Sequence, residues 1–140
     1  MKFLAQYRAI VITTILAVAL LAYMYYRGRK AGKGFIPDAP YINGSASIPK
    51  GFNPNILADK LYEVMSGLFT LSGHKDAAWK QLIDLQTDDM VIAVYNAFND
   101  KYGPKGKGTL TQWIADEKYY DFTTGVKSRV LLKLKSLRLN

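Results

Sequence analysis

Residues Ala9 to Tyr26 read Ala-Ile-Val-Ile-Thr-Thr-Ile-Leu-Ala-Val-Ala-Leu-Leu-Ala-Tyr-Met-Tyr-Tyr, without a charge, a Gly or a Pro. As a helix this run extends about 27 Å at about 1.5 Å per residue, close to a hydrocarbon core of about 30 Å. Ile10, Val11, Ile15, Leu16, Leu20 and Leu21 supply its apolar surface. Tyr23, Tyr25 and Tyr26 cluster at one end, where amphipathic rings settle among headgroups. Arg27, Arg29, Lys30 and Lys33 follow at once as a polar stop. The reading is a single membrane-spanning helix over 9–27, preceded by a short tail, 1–8.

A cleaved signal peptide is the rival, because Lys2 and Arg8 make a basic start before the apolar run. Its small-x-small signal, Ala17-Val18-Ala19, lies inside the run rather than after it, and favours the anchor. More cations follow the span than precede it, so the positive-inside bias points to a cytoplasmic C-terminal part. The expected location is a virion membrane or a bacterial-type inner membrane.

Residues 31–140 hold 14 Lys and Arg against 11 Asp and Glu, so most of the net +8 sits beside the span. The high charge therefore speaks of membrane flanks more than of a nucleic-acid surface. No Cys is present, which excludes disulfides and thiolate metal sites.

From residue 28 to 55, Gly and Pro recur with no sustained periodicity, the mark of an extended tether. Fully stretched, residues 34–54 reach roughly 70 Å. Phe35, Ile36, Tyr41, Ile42, Ile48 and Phe52 punctuate it, with Phe35, Tyr41 and Phe52 the main candidate contacts. They either staple the tether onto its own domain or lay it along a neighbouring protein.

Residues 56–140 form a helical domain on the following signals. Asn53-Pro54 opens a helix whose face is Leu57, Leu61, Met65 and Leu68, beside Val64. A second is expected from Asp76, with Ala77, Trp79, Leu82 and Ile83 apolar. Thr87 caps a third, with Asp88 and Asp89 in its first turn, Val91, Tyr95, Phe98 and Tyr102 inward, and Gly103-Pro104 as the stop. Lys105 to Gly108 is expected as a tight exposed loop. Thr109 and Gln112 make a capping box before Leu110, Trp113 and Ile114. A fifth is expected from Thr124 to about Leu137, with Val126, Val130, Leu134 and Leu137 inward. The fold class is all-α: a spanning helix, an extended tether and a small five-helix domain.

Leu61-Tyr62, Met65-Ser66-Gly67 and Ser72-Gly73-His74-Lys75-Asp76, then Val94 through Gly103 with its Tyr-Gly end, and Leu110 through Glu117, resemble one annexin-type repeat. The resemblance implies a five-helix shape over about 57–137. That family binds calcium through a Gly-x-Gly-Thr turn and a carboxylate about forty residues on, which Glu117 would supply. This chain places Lys75 in the turn, so the shape is carried over and the calcium site is not.

No set of residues assembles an active site. His74 lacks the partners a metal or a triad requires, and Gly106-Lys107-Gly108-Thr109 lacks the spacing of a phosphate loop. Asp88-Asp89 and Asp116-Glu117 are adjacent pairs that diverge by about 100° on a helix, and capping and solvation account for them. No enzyme, cofactor or metal is expected.

The last helix carries Lys127, Arg129, Lys133, Lys135 and Arg138 with no acid between. Its cations form either a solvated rim around a core helix or a contact for anionic lipid, with nucleic acid a weaker alternative. Leu132 and Leu139 are expected on the outer side, free to touch a partner. The functional expectation is a non-enzymatic membrane-anchored structural protein linking lipid to neighbouring proteins of a shell or complex, such as a membrane-containing virion. The alternative is a cellular single-pass protein whose domain binds a soluble partner or anionic lipid.

Overall fold

The computed structural model describes residues 14–23, 36–67, 70–105, 107–119 and 125–140. Residues 14–23 are helical (α1), and Ile15, Leu16, Val18, Leu20, Leu21 and Tyr23 on it are 60–66% exposed. Among the described residues no helix is long and apolar enough to cross a membrane. Much of the expected span and its flank, including Ile10, Val11, Tyr25, Tyr26, Arg27, Arg29 and Lys30, lies outside the described residues.

Residues 35–140 are a separate compact unit. It contains α2 (Pro54–Ser66), α3 (Ser72–Ile83), α4 (Asp88–Tyr102), α5 (Leu110–Asp116) and α6 (Val126–Ser136), with 3₁₀ turns at Ser45–Ser47 and Gly103–Lys105. Local chemistry sets most of their starts. Asn53 accepts from the Asn55 amide, with Pro54 at the first helical position. Thr87 accepts from the Met90 amide. Thr109 and Gln112 cap each other reciprocally. Each such cap is worth about 1 kcal/mol.

The middle helix, α4, is buried almost all round, which makes it the spine. It packs on α2, and α3 bridges α2 and α6, while α5 leans on α6. Trp79, Leu82, Val91, Val94, Phe98, Leu110, Ile114, Val130 and Leu134 meet in one core. Val126 joins that core, and Leu137 packs partly buried against it.

Several expectations shift. The second helix starts at Ser72, not Asp76, because Leu71 stays extended as its cap and its carbonyl accepts from the His74 amide. Ala78 rather than Ala77 then faces the core. The fifth helix starts at Val126, after Gly125 adopts φ 58. Leu68, Gly106 and Thr124 lie outside the described residues, and the expected loop begins instead as the 3₁₀ turn at Gly103.

Leu139 is the plainest reversal: it is 2% exposed, not outward. Beyond α6 the chain turns through Arg138 at φ 59, so the Leu139 amide reaches the Leu134 carbonyl and the Arg138 amide reaches Lys135. That is a Schellman closure, which carries the second residue past the helix end back onto the core. Thr111 Oγ1 donates to the Leu139 carbonyl and Tyr95 Oη to that of Asn140, pinning the turn. A residue with a Cβ in a left-handed position costs about 1 kcal/mol. Arg138→Gly should therefore raise the denaturant midpoint of unfolding, by about 1 kcal/mol of stability, with an unchanged slope.

Candidate interaction surfaces

The segment 36–53 lies against its own domain, held by two polar side chains of α4. Asn96 serves both backbone groups of one residue: its Oδ1 accepts from the Ala39 amide at 2.8 Å and its Nδ2 donates to the Ala39 carbonyl at 2.9 Å. About two turns earlier, Asp89 accepts from the Ile42 amide at 2.6 Å, the Asn43 amide at 2.9 Å and the Ser47 hydroxyl. Extended backbone has unpaired donors, and burying it requires partners of this kind.

Asp89 is 0% exposed. The Ser47 hydroxyl, helped by the Ile42 and Asn43 amides, holds its carboxyl below the usual carboxylate range against the opposing effect of burial. Solvation and capping therefore do not account for Asp89. Only its neighbour Asp88 fits the surface reading, pairing with Lys133 at 2.6 Å.

The apolar residues of this strap divide. Phe52 and Ala39 pack against the core. Ile36 approaches the start of the turn after α4 so closely that a Cβ at Gly103 would meet its Cδ1 at 2.5 Å. Tyr41 and Ile42 point outward, 38% and 58% exposed. Phe35 lies outside the described residues.

Tyr41 is a ridge between two open grooves. One, of about 480 Å³, runs between the strap and α4 and includes Asp38, Asn96, Ala97 and Asp100. The other, of about 330 Å³, lies between Pro40–Ile42 and the end of α6, with Leu137 and Arg138 on its wall. Asp38, Asp100 and Arg138 are exposed and make no ion pair among the described residues.

The five cations expected on the last helix have different employments, and Arg138 lies beyond it, since α6 ends at Ser136. Lys127 donates to the carbonyls of Ala115 and Glu117 at 2.9 and 2.8 Å, closing the end of α5. Lys133 is engaged with Asp88. Arg129, Lys135 and Arg138 remain exposed, with Leu132 at 66% exposure between the first two.

Two further clusters were not foreseen. Lys75 is buried against Glu117 at 2.5 Å, and Lys107 approaches the other oxygen of Glu117 at 4.0 Å. Where the annexin-type resemblance implies a divalent ion near Glu117, an ammonium sits beside that carboxylate. His74 is exposed in the first turn of α3, and no cluster of metal-binding side chains occurs among the described residues.

The other cluster joins Asp59, Lys101 and Tyr102. Asp59 accepts from Lys101 Nζ at 2.6 Å and Tyr102 Oη at 2.7 Å, which holds its carboxyl low. Burial, and then the bond to Asp59, pushes the Tyr102 phenol up. Tyr102 stacks on Tyr62 at 3.9 Å with the rings within 2° of parallel, and Lys105 lies over both. Its ammonium covers ring faces that water would otherwise meet.

No protein-family model, curated protein or solved structure matches this chain.

Proposed function

We propose that this chain is a non-enzymatic, single-pass membrane protein whose helical unit binds neighbouring proteins, tying a lipid bilayer to a shell or complex such as that of a membrane-containing virion. The observation that carries this reading is the apolar surface of α1. Ile15, Leu16, Val18, Leu20 and Leu21 are all 60–66% exposed, on every side of the helix. A helix apolar all round needs an apolar surrounding, and the Tyr and Arg-Lys flanks of the run suit a bilayer boundary.

Alkaline carbonate washing of membranes from the native source tests the anchor. The protein should stay in the pellet and leave only with detergent. Leu16→Asp together with Leu20→Asp should move it into the supernatant, since each mid-span Asp costs about 2.5–3.5 kcal/mol of insertion. Retention of that double variant in the pellet would overturn the anchor. The assembly role is tested by fractionation: co-purification with lipid and shell or complex proteins at fixed stoichiometry supports it, whereas the protein alone in a membrane sinks it.

A second reading, a domain binding anionic lipid, is favoured by the outward face of α6. There Arg129 and Lys135 flank Leu132 without an acid. Arg129→Glu with Lys135→Glu is the informative change, because Lys133 is already occupied by Asp88. Salt-sensitive loss of contact with anionic headgroups in that variant would support this reading.

A further inference from the structure

We propose that the ridge formed by Tyr41 and Ile42, with the groove on each side of it, is the interface through which two copies of this chain pair about a two-fold axis. The pairing deepens the assembly reading above and rests on it for its strength, as argued below.

The first observation is charge. On one side of the ridge the 480 Å³ groove carries Asp38 and Asp100. On the other side the 330 Å³ groove carries Arg138. All three are exposed and none has an ion-pair partner among the described residues. Other exposed charges of the unit, such as Arg129 and Lys135, also lack an ion pair among the described residues, and what sets these three apart is their place on the two grooves beside one ridge.

The second observation is arrangement. Both grooves share Tyr41, so the acidic and basic walls are neighbours across a single apolar ridge. A patch with opposite charges on either side of its centre is self-complementary. Rotating a second copy by a half turn about the ridge lays Arg138 of each copy over the Asp38–Asp100 groove of the other. A two-fold interface requires this relation, in which residue i meets j and j meets i. Tyr and Arg are also the residue types that most often anchor interfaces.

The third observation is rigidity. The ridge sits on the clasp that Asp89 and Asn96 form with the strap, so it is held ready before any partner arrives. Little ordering remains to be done on association. The patch is small, so the affinity in free solution is low. Confinement of both copies to one membrane raises their effective concentration to roughly the millimolar range and makes pairing substantial.

The chain has no Cys, which allows a clean test with the full-length protein in washed membranes. A residue beside a two-fold axis meets its own counterpart. Ile42→Cys should therefore give a disulfide-linked dimer on mild oxidation. Leu71→Cys, at 70% exposure beyond the far end of α2, should stay monomeric. Charge variants then decide the arrangement. Arg138→Glu, and separately Asp38→Lys with Asp100→Lys, should each lower the Ile42→Cys dimer yield by about tenfold. Co-expression of the two should restore a mixed dimer to near the parent yield, because both contacts are then attractive again.

Absence of the Ile42→Cys dimer would overturn the proposal, as would indifference of its yield to the charge variants or failure of the mixture to recover. Loss of the protein in the carbonate wash is a different result: it defeats the anchor, not the pairing. In that event the same cross-linking, run on the released protein at about millimolar concentration, still decides the interface.

Discussion

Glu117→Leu should destabilise the helical unit by about 3–5 kcal/mol, because it strands a buried ammonium. Lys75 and Glu117 have side chains only 9% and 10% exposed, with Nζ and Oε1 at 2.5 Å. Two more ammoniums gather at the same residue, Lys107 at 4.0 Å from the carboxylate and Lys127 on the main-chain carbonyl. One carboxylate therefore balances a cluster of lysines. Lys107 is 43% exposed on its side chain and can turn to water, but Lys75 cannot. Lys75→Met should cost less than Glu117→Leu, since the carboxylate it leaves still has Lys107 within reach. The double variant Lys75→Met with Glu117→Leu should recover most of the loss, as apolar replacement of a buried pair is often neutral. Denaturant unfolding followed by the fluorescence of Trp79 and Trp113 measures all three. For the Glu117 variant the thermal midpoint should fall by roughly 12 °C or more. A double variant as unstable as Glu117→Leu alone would show that the pair is not what holds α3 to the end of α5.

The features readable along the chain are those decided within one turn of helix. Thr87, Asn53 and the Thr109–Gln112 box depend on neighbours two or three residues away, and each lies where local rules put it. The inward stripes of α4 and α6 follow from period alone. What was not readable depends on contacts across the fold. Asp89 in a first turn looks like a dipole-compensating acid, and nothing local distinguishes it from Asp88. Only the arrival of residues 42–47 removes it from water. The strap itself has no period to betray which of its apolar residues face inward, so Phe52 and Tyr41 look alike. Leu139 was misplaced because a wheel extrapolates a helix past the point where Arg138 reverses the backbone. No Gly announces that reversal.

Asp89→Asn should loosen the strap while leaving the helices folded. The site needs acceptors only: Oδ1 takes the Ile42 amide, and Oδ2 takes both the Asn43 amide and the Ser47 hydroxyl. An amide of the same shape turns one of these oxygens into a donor facing donors. Hydrogen exchange at the Ile42 and Asn43 amides should then accelerate by roughly tenfold or more, with Ala39 less affected because Asn96 still holds it. Acid should reproduce the effect in the parent chain. The carboxyl of Asp89 is lowered by Ser47 and the two amides from an ordinary 3.8. A depressed carboxylate contributes stability that is fully present above its unfolded value and is lost as pH falls through the folded one. Protection of Ile42 and Asn43, corrected for intrinsic rates, should be flat from neutral pH down to about 4 and collapse below that. The Asn variant should show low protection at every pH, and full protection there would dismiss the clasp.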